Sequence, residues 1–183
     1  MKKYLIITLG IVLMSCQENK KENQAESLTK SQETITEKPS SESTPESAEA
    51  AQKWLIKSIE TYFSQESPNM QNITTSDYYQ YKTDATNVDY DIEGSLTEKQ
   101  FHNKWQGKFN TQKAGIGVGF LISGQDWTKI KVEKCNLSSS ENNEYLFDVI
   151  LTDRDMKEQY KIKVKVIPSE NSFLISDVEQ FLY

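Results

Sequence analysis

From Ile116 to the end of the chain, apolar side chains recur at every second position, whereas in the stretches before it they recur at every third or fourth. A period of two buries one face of a strand, and a period near 3.6 buries one stripe of a helix. A chain patterned this way has to pack helices on a sheet, so the fold class is α+β. Ile116/Val118/Phe120/Ile122, Thr128/Ile130/Val132, Tyr145/Phe147/Val149/Leu151 and Ile162/Val164/Val166 predict strands, followed by a last one over about Phe173–Phe181. Val88, Tyr90 and Ile92, alternating with Asp89 and Asp91, predict a short extra strand. Turn residues fill the breaks at Ser123–Asp126, Ser138–Asn143, Asp153–Asp155 and Pro168–Asn171. Connections this short imply antiparallel pairing, giving a sheet of about five or six strands.

The helices carry their own punctuation. Thr44-Pro45-Glu46 supplies a capping hydroxyl, a proline at the first helical position and an acid at the positive dipole end. Ala51, Leu55, Ile59 and Tyr62/Phe63 then set the stripe of a helix that runs to about Ser64, with Trp54 and Ile56 broadening it. A shorter helix is expected around Ser76–Thr83. Thr97 and Gln100 form a T-x-x-Q capping box, flanked by Leu96 and Phe101 as a hydrophobic staple, and Gly107 is placed to end that helix in the left-handed region.

Hydrophobic residues make up 36% of the 183, against the ~45–50% of an ordinary globular chain, so part of the sequence stays outside any core. That part is the N-terminus. Residues 17–43 contain no aromatic side chain and are built from Glu, Lys, Gln, Asn, Ser and Thr, a composition that cannot offset its ordering entropy and reads as a disordered tether. Before it, Lys2 and Lys3 precede an apolar run from Tyr4 to Met14, which suits a secretory signal and falls short of the ~20 residues of a membrane span. Leu13-Met14-Ser15-Cys16 resembles the lipobox of bacterial lipoproteins. The resemblance implies that residues 1–16 are a lipoprotein signal, that Cys16 is lipidated, and that the membrane is a partner through that anchor. Gln17 in place of an inner-membrane retention Asp implies the outer membrane.

Residues 44–183 remain for one domain. Its order of helix, helix, short strand, helix and then long antiparallel strands is similar to the NTF2-like (cystatin-like) fold. That resemblance implies helices packed in the concave face of a bent sheet, a cone with a mouth that holds ligands, and dimerisation through the sheet as a family habit.

The chemistry-bearing residues are few. With 21 Lys+Arg against 27 Asp+Glu the net charge is −6, which argues against a nucleic-acid partner. One His and two Cys leave little for a metal site, and no cofactor is implied. Cys135 has no activating neighbour in sequence and reads as a small buried hydrophobe. His102 sits on the first turn of the third helix without a sequence neighbour that would make it a base, and reads as structural. Gly115, Gly117 and Gly119 lack the Lys-Ser/Thr of a phosphate loop and read as a bend in a strand. Lys161, Lys163 and Lys165 read as a solvated sheet face. The candidates for contact with a ligand are Tyr79, from a cluster with Tyr78 and Tyr81, then Trp105, and the turn pair Asp126 and Trp127. The expected function is a lipid-anchored envelope protein that binds a small molecule or an envelope protein without turnover. The alternatives are a small enzyme using an Asp126–Tyr pair in the cone, and an assembly lipoprotein with a filled cone.

Overall fold

A computed structural model describes residues 45–181. The signal segment 1–16 with Cys16, the tether 17–43 and the capping Thr44 lie outside the described residues. The elements are α1 (Pro45–Ser64), α2 (Ser76–Thr86), α3 (Glu98–Trp105), β1 (Ile130–Glu141), β2 (Glu144–Asp153), β3 (Glu158–Ser169) and β4 (Ser172–Gln180), with 3₁₀ turns at Met70–Asn72 and Thr111–Lys113. The four strands form one antiparallel sheet in the order β1-β2-β3-β4. The fold is α+β, with four strands among the described residues instead of the five or six expected.

Each hairpin follows from its turn residues. Asn142 and Asn143 both take positive φ (52° and 61°) between the paired residues Glu141 and Glu144, as a two-residue turn with the twist of the sheet requires. This lets β1 run on through Ser138–Glu141, where a break was expected. Glu170 (φ 36°) and Asn171 close β3–β4 as a second two-residue turn, with positive φ at Glu170 and not at Asn171. At the β2–β3 turn the Asp153 carboxylate, 1% exposed, accepts from the Thr128 hydroxyl and from the backbone N–H groups of Thr128, Lys129, Asp155 and Met156. The Thr128 hydroxyl and these amides hold the carboxyl down at about 2.

One sheet face supplies the core: Tyr145, Phe147, Val149, Leu151, Ile162, Val164, Val166, Ile175 and Val178 are buried. Against them α1 lays Ala48, Ala51, Leu55, Ile59 and Phe63, a stripe at helical spacing. The helix also guards the β1 edge. Gln52 donates to the Cys135 carbonyl, Glu60 accepts from the Val132 N–H (3.3 Å), and Lys131 pairs with Glu60 (2.8 Å). On the opposite edge, Thr75 N–H donates to Ile175 O and Ile175 N–H to Ile73 O (2.9 Å each). Both edges are thus partly occupied. On the outer face Lys163 and Lys165 pair with Asp148 (3.3 Å) and Glu144 (3.2 Å), so the expected solvated lysine face is a set of cross-strand ion pairs.

Two predicted strands do not form. Around Val88–Ile92 the chain reverses at Asp89 (φ 58°), whose N–H donates to Leu96 O (3.0 Å). Val88 is buried, but Tyr90 and Ile92 are 52% and 56% exposed. Between Gly115 and Ile122 the backbone bonds leave the sheet altogether. Gly117 N–H donates to Ala85 O (3.0 Å), Thr86 Oγ1 to Val118 O (3.0 Å), and Gln180 Nε2 to Gly119 O (3.1 Å). These groups are served by α2 or by a side chain instead of a ladder partner. Phe120, Leu121 and Ile122 are buried consecutively, a pattern no half-buried strand produces.

In α3 the capping box is complete: Thr97 accepts from Gln100 N–H and the Gln100 side chain accepts from Thr97 N–H. Gly107, however, is outside the left-handed region; Lys108 and Phe109 N–H both bond Trp105 O (2.9 and 3.0 Å) and close the end instead.

Gly115 (φ 62°) and Gly117 (φ 73°) separate two effects. A Cβ on Gly115 would overlap the Gln180 side-chain amide, whereas one on Gly117 meets open space. Gly117→Ala is expected to cost ~1–2 kcal/mol for the backbone alone, and Gly115→Ala roughly 3 kcal/mol or more through added overlap. Urea midpoints at constant slope measure both, and equal costs would contradict the packing assigned to Gly115.

Candidate functional site

The interior that the NTF2-like expectation left open as a cone is filled. Phe101, Phe147 and Trp105 are buried, and Tyr81 is sandwiched between Phe101 (5.4 Å, 27°) and Phe109 (4.2 Å, 16°). Trp105 meets Tyr81 edge-on (5.7 Å) and donates Nε1–H to Asp84 Oδ2 (2.8 Å), which also accepts from Lys104 (2.7 Å). Trp105 is therefore a bolt between α2 and α3, closed to a ligand.

Trp127 is half-buried against the end of α1. Its ring meets Phe63 edge-on (5.4 Å) and its Nε1–H donates to Phe63 O (3.3 Å). Asp126 beside it is exposed. Tyr78 and Tyr81 are core residues while Tyr79 between them is half-exposed. The four candidates thus fall in separate environments, and the Asp126–Tyr79 pairing that an enzyme would need in one enclosed cavity is not assembled.

Tyr79 does line a groove. It has two open troughs that share Tyr62 and Asn69 in their walls. One, about 280 Å³, runs between α1 and the 65–73 segment, with Trp54, Lys57, Thr61, Asn72 and Ile73 in its wall. The other, about 290 Å³, lies between the 68–70 segment, α2 and the Gly119–Phe120 backbone, with Met70, Tyr79, Thr83 and Asn87 in its wall. Tyr62 is held upright by edge-on contacts with Phe63 (5.0 Å) and Phe120 (5.2 Å), and Trp54 leans on Phe173 (6.0 Å). Burial raises the Tyr62 phenol above its ordinary value, keeping it neutral. No Asp or Glu lines either trough, in a chain with 27 of them. Sequence reasoning assigned Trp54 and Tyr62 to the core stripe of α1; their positions at the edge of that stripe are the signal that they face outward.

The wall of the second trough rests on a group the sequence reading passed over. Lys82 is 1% exposed, and its ammonium donates to Ala114 O (2.7 Å), Gly115 O (3.0 Å) and Gln180 Oε1 (3.1 Å). Gln180 in turn donates to Gly119 O. An ammonium has three protons and all three are used. Its signal in sequence was its place on the buried stripe of α2, with Tyr78, Tyr81 and Ala85. Burial draws its pKa down from 10.5 to about 7.

His102 gains partners from the fold. Nδ1 lies 2.7 Å from Thr111 Oγ1 and Nε2 3.5 Å from Glu98. Hydroxyl, imidazole and carboxylate in series can activate a nucleophile, but here the carboxylate is long-range and 64% exposed, and Thr111 is buried. The trio pins the Thr111–Lys113 turn to α3. Cys135 is buried, with its thiol pushed up to about 12 by burial, as expected of an inert hydrophobe. Among the described residues no group of three or more His, Cys, Asp or Glu is placed to hold a metal ion. The chain matches no protein-family model, no curated protein and no solved structure.

Lys82 gives the site a pH signature. A lysine with a depressed folded pKa contributes stability at high pH that is lost as pH falls through the folded value. Between pH 7.5 and 9.5, the wild type is expected to gain up to ~1.4 kcal/mol per pH unit relative to Lys82→Met. Denaturant titrations of the two proteins across this window measure the difference, and parallel pH dependences would contradict it.

Proposed function

We propose that the chain is a lipid-anchored protein of the bacterial cell envelope, in the outer membrane, whose domain binds a ligand in the groove around Tyr62 without turning it over. The observation that carries the binding reading is the groove itself: half-exposed aromatic rings and neutral polar side chains, free of carboxylates, on an otherwise densely charged surface. Such a wall offers contact area and orientation but no carboxylate or imidazole to act as a general base. Anchoring through Cys16 is supported by the Leu13-Met14-Ser15-Cys16 tetrad behind its basic and apolar run. No helix among the described residues is long and apolar enough to cross a membrane. An NTF2-like origin is supported by three helices leading into a meander of long strands, with α1 laid across the sheet. The filled interior moves the binding surface from the mouth of a cone to the outside of α1 and α2.

Two measurements test this. Labelled palmitate fed to bacteria expressing the full chain is expected to mark the wild type and not Cys16→Ser, and equal labelling of both would overturn the anchor. For the groove, the full-length Cys16→Ser protein is heated with soluble probes of different class: neutral oligosaccharide, acidic oligosaccharide and proline-rich peptide. One class is expected to raise Tm in a manner lost in Tyr79→Ala; no shift with any class would overturn the binding reading.

A further inference from the structure

We infer that the occupant of the groove is an uncharged, extended carbohydrate chain, bound with sugars in both troughs and Tyr62 shared by the two. This rests on the groove being the binding surface and goes on to name what it takes.

Charge comes first. The chain carries −6 overall, yet neither trough has an acidic side chain, and Lys57 is the one Lys or Arg in their walls. A cationic ligand finds no counter-ion in the groove. An anionic one approaches against the net field of the protein, with one exposed lysine in its favour. The wall is electrostatically matched to a neutral ligand.

Hydrogen-bonding type comes second. The polar groups along the walls are amides and hydroxyls: Asn69, Asn72 and Asn87 with Thr61 and Thr83. Each both donates and accepts. A sugar hydroxyl is likewise donor and acceptor, so it pairs with these amides and hydroxyls in either sense, and it can also accept from Lys57. The carbonyls of a proline-rich peptide only accept, which leaves half of such a wall unused.

Shape comes third. Trp54 and Tyr79 stand in different troughs, with Tyr62 shared. Aromatic rings suit the apolar C–H faces of sugars, and each such contact is modest alone. Each trough is close to the ~300 Å³ lower bound of small-molecule pockets and is open to solvent. Two shallow sites that share Tyr62 and Asn69 favour a chain that fills both over a compact ligand that fills one. The lack of carboxylates also bears on turnover: glycosidic hydrolysis ordinarily uses two carboxyl groups about 5–9.5 Å apart, and these walls supply neither.

The test is isothermal titration of the full-length Cys16→Ser protein with cellobiose, cellohexaose, maltohexaose, an oligogalacturonate and a proline-rich decapeptide. The expected result is that a neutral hexaose binds, more tightly than a disaccharide of the same linkage. Tyr79→Ala and Asn72→Ala, one in each trough and neither at a buried position, should each weaken binding by roughly three- to tenfold. Fluorescence of Trp54, isolated by comparison with Trp54→Phe, should respond to the same ligand. Binding of the acidic oligomer or the peptide alone would overturn the carbohydrate assignment and leave the groove as a binding surface. Neutral-sugar binding that neither variant weakens would overturn it as well. No binding by any probe would overturn both readings.

Discussion

A single buried ammonium organises the half of this domain that is not sheet. Taking the Lys82 charge out of water is expensive, and no carboxylate is among its hydrogen-bond partners to offset the cost. The fold meets part of the cost with geometry: when the amine is charged, two adjacent carbonyls and one side-chain amide oxygen take up all three protons. Those acceptors belong to the Ala114–Gly115 backbone and to the end of β4, so satisfying Lys82 joins α2 to both. Gly115 is where that closure demands a positive φ and room for the Gln180 amide. Once Gln180 is fixed, its other side-chain group reaches Gly119 O, and Phe120 is set beneath Tyr62. The groove wall is in this sense a consequence of the clamp.

The sheet supplies the complementary support. Four strands with one buried face would expose two edges, and each is met by a different element: α1 side chains at β1, and the 73–75 backbone at β4. The same placement that covers β1 presents the outward edge of the α1 stripe, Trp54 and Tyr62, to solvent. The 73–75 pairing likewise fixes the approach of the 65–73 segment, which forms the groove's opposite wall. Aromatic packing of Tyr81 between Phe101 and Phe109 closes the interior, so binding chemistry is displaced to the outside.

Local signals were legible in the sequence where they were sufficient in themselves. The Thr97–Gln100 box depends on residues three apart, and its two reciprocal bonds formed. The hairpins follow Asn142-Asn143 and Glu170-Asn171, although β1 runs on through the four residues Ser138–Glu141 where a break was expected. Alternation at 88–92 and 116–122 misled because a strand needs a partner edge, and which edges are vacant is decided by α1 and by residues 73–75. Of the four candidates for ligand contact, Tyr79 is the one that lines a trough, while Trp127 packs on the end of α1. Trp105 and Asp126 were not placed for a ligand, since one is consumed in joining α2 to α3 and the other stands in solvent. Trp54, Tyr62 and Lys82 were missed because a periodic stripe does not tell its centre from its edge, or a lysine in it from a solvated one.

The central claim is that the Lys82 clamp holds the 114–120 segment in place and through it the groove wall. Amide hydrogen exchange of the full chain, wild type against Lys82→Met, tests it most directly, with the Gly117 N–H bonded to Ala85 O as reporter. The account predicts that protection at Gly117 falls by an order of magnitude or more while amides in β2, such as those of Phe147 and Val149, keep theirs. Unchanged protection at Gly117, or a uniform loss across β2 as well, would contradict a clamp that acts on this segment.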